Sequence, residues 1–193
     1  LDVKPLRDSQ NFSQVNFYPY DAEKVITTYK ELKKKVSRSF VMEKRITFPD
    51  IQGVKQAFLG LVKCQDFISI LSDSDKNMLT NIFEDNVRDF QGYNTVNTEI
   101  QETLRSDNDQ ARFGILNNGI TIVAKRITPV GDKIEIYDYQ IVNGCQTSYV
   151  LYDNRAILTD DSYVMVKLIE VTDDSVSDRV IYTTNRQTEV KSE

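Results

Sequence analysis

The stretch from Ile120 to Tyr152 constrains the fold more than any other. Ile120 to Ile127 is apolar enough to be a strand, and Pro129 to Asp132 holds the Pro and Gly of a turn. Ile134 to Val142 then alternates apolar and polar residues as a second strand, so the two predict a hairpin. Asn143-Gly144 follows, and Cys145 to Tyr152 switches to helical spacing. A hairpin that runs straight into a helix fits neither an all-helical bundle nor regular βαβ alternation. It predicts an α+β fold, a mixed sheet with hairpins and packed helices.

The rest of the chain follows the same style. Residues 1 to 19 are polar with two prolines and read as irregular. Asp21 is placed to cap a helix whose apolar face is Val25, Tyr29, Leu32 and Val36. Phe40 to Phe48 and Lys55 to Lys63 read as strands, and Asp66 to Leu71 as a short helix. Ser74 is expected to cap a longer helix carrying Met78, Leu79, Ile82 and Phe83 inward. After a polar loop, "NVRDFQGYNTVN", Asn97 is expected to cap a helix through Ile100 and Leu104. Phe113 and Ile115 read as a short strand, Asn117-Asn118-Gly119 as a positive-φ turn, Val164 to Val171 as a strand, and Ser175 as the start of a last helix. A soft boundary near residue 73 divides an N-terminal α/β segment, 1–73, from a core, 74–193.

Composition narrows the function. Hydrophobic residues are 40% and charged residues 27%, ordinary for a globular chain, and no apolar run approaches the ~20 residues of a membrane span. The net charge of −5 excludes a globally basic nucleic-acid footprint; Lys33-Lys34-Lys35 is either a local basic patch or, as most such runs are, the solvated face of a helix. No histidine is present, which removes Ser-His-Asp and Cys-His catalysis and His-ligated metals. Cys64 and Cys145 form no CxxC pair and predict neither metal site nor disulfide framework, which fits a cytoplasmic protein. Asn11-Phe12-Ser13 matches a glycosylation sequon with nothing else pointing to secretion. A chain starting at Leu1 is expected to be a fragment of a longer protein.

Four polar stretches are candidates for chemistry. Gly144 allows a sharp turn, and the helix after it offers N–H groups that attract an anion, with Gln146 and Thr147 as further donors. The simpler account is that Asn143 caps that helix. Asn117, Asn118 and Gly119 can place amides in a cleft or form a plain turn. Asn86 and Arg88, with Gly92 and Asn97 downstream, offer an anion clamp or a surface ion pair with Glu84 or Asp85. Thr184-Asn185-Arg186-Gln187 follows the last helix, and Asn185 and Gln187 either reach a shared cleft or lie in a polar C-terminal loop. Cys145 lacks a base and reads as a buried residue behind the turn. Loop amides outnumber candidate acid–base pairs, so recognition of a phosphorylated or polar ligand is expected more than catalysis.

In order and spacing, "IFEDNVRDFQGYNTVNTEIQETL", "FGILNNGITIVA", "YQIVNGCQTSYVL" and "VMVKLIEV…TTNRQTEV" resemble the AIPR family of abortive-infection phage-resistance proteins, over about residues 40 to 193. The resemblance implies a bacterial, cytoplasmic protein of anti-phage defence. It maps the family's recurring segments onto Asn86 and Arg88, Asn117 to Gly119, and Asn143, Gly144, Gln146 and Thr147. A more distant pattern resembles the ParB/sulfiredoxin-like fold and its nucleotide site. Where ParB-like proteins follow the Gly with Glu-Arg-Arg, this chain has Cys145-Gln146-Thr147, and Thr184 stands where they have Glu. That departure speaks against nucleotide hydrolysis and leaves anion binding. The implied partners are a nucleotide or nucleic acid and other defence proteins, with no membrane; neither cofactor nor catalytic residue is assigned. A metal-dependent nuclease or nucleotidase using Glu84, Asp85, Asp89 and Glu99, and a non-catalytic interaction module, are the alternatives.

Overall fold

The computed structural model describes residues 35–83 and 92–185. Its centre is one six-stranded sheet. The strands are β1 (Ser37–Val41), β2 (Lys44–Thr47), β3 (Val54–Lys63), β4 (Ile120–Val130), β5 (Lys133–Asn143) and β6 (Tyr163–Val171). Their order is β1-β5-β4-β6-β3-β2. Only β4 and β6 pair in parallel; all other neighbours are antiparallel. The helices are α1 (Cys64–Leu71), α2 (Thr95–Arg105), α3 (Asp107–Gln110), α4 (Phe113–Leu116), α5 (Cys145–Asp153) and α6 (Asp174–Asn185), with short 3-10 turns at Asn81–Phe83 and Arg155–Ile157. The α+β class expected from the hairpins holds. Three of the six strands precede residue 73 and three follow it.

Both faces of the sheet are covered, so its central strands are apolar on both sides, as β4 shows with five buried residues in a row from Ile120. On one face Ile122, Ala124, Ile141, Val164 and Leu168 pack with Phe67 and Ile70 of α1, Leu104 of α2 and Val150 and Leu151 of α5. On the other, Val123, Val142 and Ile169 meet Val176, Val180 and Ile181 of α6. The period-two alternation of strand side chains produces this split.

Several local expectations are corrected. Phe40 to Phe48 is two strands, because Met42 leaves β1 to donate its N–H to Asp132 O (2.8 Å) and sinks into the core. The segment after Ser74 is no long helix. Asp73 accepts from the N–H groups of Asp75 and Asn77 and folds a turn around Lys76, whose φ is +66°. Such a side-chain loop competes with helix formation, and only the 3-10 turn at Asn81–Phe83 remains. Phe113 and Ile115 belong to α4 and not to a strand; Phe113 is buried while Ile115 is exposed, the opposite sides that a helix gives to residues two apart and a strand does not. The turn of the hairpin is tighter than expected, since Pro129 and Val130 already pair in β4. The expected helix from Asp21 lies largely outside the described residues.

Candidate functional site

The hairpin delivers two of the polar motifs to one place. Gly119 enters β4 and Gly144 leaves β5, with Thr121 opposite Asn143. Between Ile141 and Asn143 the register slips, so Val142 is an extra residue on β5. A bulge of this kind bends the strand and re-aims the residue after it. Gly144 then has φ +90° and forms the N-cap of α5. A Cβ there would lie 2.7 Å from Ile120 Cγ1 and 3.0 Å from Gly119 O. Gly119 itself has φ +77°, and a Cβ on it would meet Met165 O at 2.6 Å. Both glycines are therefore required twice over, by a left-handed backbone and by close packing.

The N-cap position of α5 is held by Gly144 and not by Asn143, which corrects the expected place of the cap by one residue. Instead Ser148 donates both its N–H and its hydroxyl to Gly144 O, each at 2.8 Å. Thr147 and Ser148 are buried, as is Cys145, whereas Asn143 and Gln146 are half-buried at the surface of the junction. The start of a helix presents N–H groups lacking intrahelical acceptors and the positive end of its dipole.

The loop after residue 91 joins this end from the side. The N-cap of α2 is Asn94, not Asn97: Asn94 Oδ1 accepts from Asn97 N at 3.0 Å. Asn97 is fully buried and its amide Nδ2 donates to Gly92 O and, at 2.7 Å, to Gln146 Oε1. Asn97 Oδ1 has no hydrogen-bond partner among the described residues. Two further bonds tie α2 and its lead-in to the far end of α5: Gln101 Nε2 to Asn154 Oδ1 at 3.0 Å, and Tyr93 OH to Asp153 Oδ2 at 3.0 Å.

The other expected residues are placed less closely. Asn117 donates its amide to Phe113 O at 3.1 Å and so closes α4, while Asn118 is exposed. Asn185 ends α6, the helix on the opposite face of the sheet from α5. Asn86, Arg88 and Gln187 lie outside the described residues, as do Glu84, Asp85 and Asp89. Glu99 is exposed on α2, and no group of three His, Cys, Asp or Glu side chains placed to hold a metal exists among the described residues. Sequence reading missed Asn94, although an Asn preceding a Thr-rich helix start is a capping signal.

No helix among the described residues is long and apolar enough to cross a membrane. A family model described as AIPR protein matches residues 83–193. That match begins later than the resemblance read from about residue 40 and takes in all four polar motifs. No curated protein matches. No solved structure matches either, so the ParB/sulfiredoxin-like likeness stands on element order alone.

Proposed function

The chain belongs to the AIPR family, and on that premise we propose that the polar surface at the start of α5 binds the phosphate of a nucleotide or nucleic acid during phage defence. Family membership supports a role in abortive infection and phage resistance. The observation that carries the binding proposal is the meeting of three motif stretches: Gly119 O lies against Gly144, and Asn97 holds Gln146 by its carbonyl. Gly144 turns the chain sharply into α5, Gln146 stands half-buried in the first turn of that helix, and the turn supplies the dipole. Arg88, by its place in the motif series, would pair with the phosphate.

The test is equilibrium binding of the full chain to a fluorescent ATP analogue and to a labelled DNA oligonucleotide. Loss of one hydrogen bond to a charged group costs about 1.5–3 kcal/mol, so Gln146→Ala and Arg88→Ala should each weaken binding by roughly tenfold or more. Absence of binding by the unmodified chain, or affinity unchanged in both variants, removes this site from consideration.

A further inference from the structure

A second cleft lies at the other end of α5. It has a volume of about 510 Å³ and is walled by β1, the end of α1, the turn after it and the 3-10 turn after α5. Three cations border it: Arg38, Lys76 and Arg155. None of them makes an ion pair within 4.0 Å among the described residues, although the chain as a whole carries net charge −5.

The cations come from three separate segments, and both guanidinium groups are pinned by hydrogen bonds to backbone carbonyls. Arg38 donates through Nε and Nη2 to Ser72 O at 3.0 and 2.7 Å, and through Nη1 to Ser37 O at 2.8 Å. Three of its five N–H groups are thereby used and two remain. Arg155 donates to Tyr152 O at 2.7 Å and stacks on the Tyr152 ring, 4.2 Å from its centroid. The Tyr152 hydroxyl in turn donates to Lys76 O at 2.7 Å, which fixes the turn that presents the Lys76 side chain. One carboxylate, Asp73, also lines the cleft. It accepts from Asp75 N, Asn77 N and Asn77 Nδ2 of its own loop, and those hydrogen bonds, with the charge of Arg38, hold its pKa below the ordinary value. Asp73 thus offsets part of the Arg38 charge, and Lys76 and Arg155 bring the border of the cleft to a net positive charge.

We infer that this cleft binds a phosphomonoester, with the phosphate between Arg155, Lys76 and Arg38 and its organic part along Ile68 and Ser69. The volume falls in the ordinary range for a small-ligand site and exceeds what a bare phosphate fills. Fixed guanidinium forks suit phosphate oxygens and lose little freedom on binding. The site is distinct from the one at Gln146, since α5 is nine residues long and separates its two ends by about 13 Å.

The experiment is calorimetric titration of the full chain with AMP, ribose 5-phosphate and uncharged adenosine, with site assignment from variants. AMP and ribose 5-phosphate should bind saturably and adenosine should not. Arg155→Gln and Lys76→Gln, both on exposed side chains, should each weaken AMP at least fivefold with an unchanged circular dichroism spectrum. Gln146→Ala should leave it unchanged, which separates this site from the one proposed above. The inference is overturned if neither phosphate ester binds, if adenosine binds as tightly as AMP, or if both cation variants retain full affinity.

Discussion

Gly144 is a residue whose whole meaning is steric. Its φ of +90° is costly for any side chain, and the space a Cβ would need is already held by Ile120 and by the backbone of Gly119. Gly144→Ala should therefore destabilise the fold by about 2–3 kcal/mol in urea unfolding, the sum of strain and a clash that backbone cannot relieve; a loss under about 0.5 kcal/mol would mean the junction adjusts freely. Glu170 is the complementary case, where charge replaces missing backbone pairing. The parallel register of β4 with β6 ends at Ala124–Glu170. Beyond it, Ile127 N donates to the Glu170 carboxylate at 3.0 Å, and Ile127 O accepts from Gln56 Nε2 at 2.7 Å. Gln56 and Lys55 also donate to that carboxylate, Lys55 at 2.8 Å. An amide in its place keeps only one acceptor oxygen, so Glu170→Gln should cost about 1–3 kcal/mol in the same assay. A variant as stable as the parent would show that Ile127 finds another partner.

At the scale of elements, the pairing of α2 with α5 is what assembles the proposed binding surface. Asn97 reaches from the first turn of α2 to Gln146 in the first turn of α5. A double-mutant cycle with Asn97→Ala and Gln146→Ala should return a coupling of about 1 kcal/mol, since the bond is buried at one end and half-exposed at the other; strictly additive losses would dissociate the two helices energetically. This contact also marks where sequence reading stopped. The hairpin was legible, because two apolar runs and a Gly turn carry their own register. The strand at Tyr163–Val171 and helix α1 were legible for similar reasons of run length and flanking residues. Asn97 was not: Ile100 and Leu104 keep the same helical spacing whether the cap is Asn94 or Asn97, and the bonds to Gly92 O and Gln146 that hold Asn97 in the interior are tertiary. Helix α4 was misread for want of length, since four residues cannot distinguish a period of 2 from one of 3.6. The convergence of Gly119 with Gly144 was suggested by motif order, but the bulge at Val142 that brings it about has no signature in a single sequence.

The whole molecule should respond to acid and to thiol reagents in ways set by these buried groups. Burial pushes the Glu170 carboxyl upward, but the hydrogen bonds from Gln56, Lys55 and Ile127 and the Lys55 charge outweigh it, leaving the pKa below its ordinary value of 4.5. A depressed folded-state pKa adds stability above the unfolded value and loses it as pH falls through the folded one. Thermal stability should thus decline as pH drops from about 4.5 toward that lower folded value, and Glu170→Gln should start less stable and decline less steeply. Half-buried Asp73 and exposed Asp173, also lowered by hydrogen bonds to their own loops, contribute to the slope of both proteins and cancel in the comparison. Cys64 reports on the opposite face of the same cooperativity. It is fully buried at the start of α1, between the sheet and Phe67, and burial pushes its thiol pKa up to about 12, against a weaker lowering by Ser162. Alkylation needs the thiolate and access to it, and the folded state denies both. At pH 8 iodoacetamide should label Cys64 only through opening, at the unfolded-state rate reduced by the global unfolding constant. Site-resolved mass spectrometry in increasing urea would then give a slope for Cys64 equal to that of global unfolding. Rapid, urea-independent labelling would mean that α1 opens by itself, and the core around Phe67, Ile70 and Leu71 would not be the cooperative centre its burial implies.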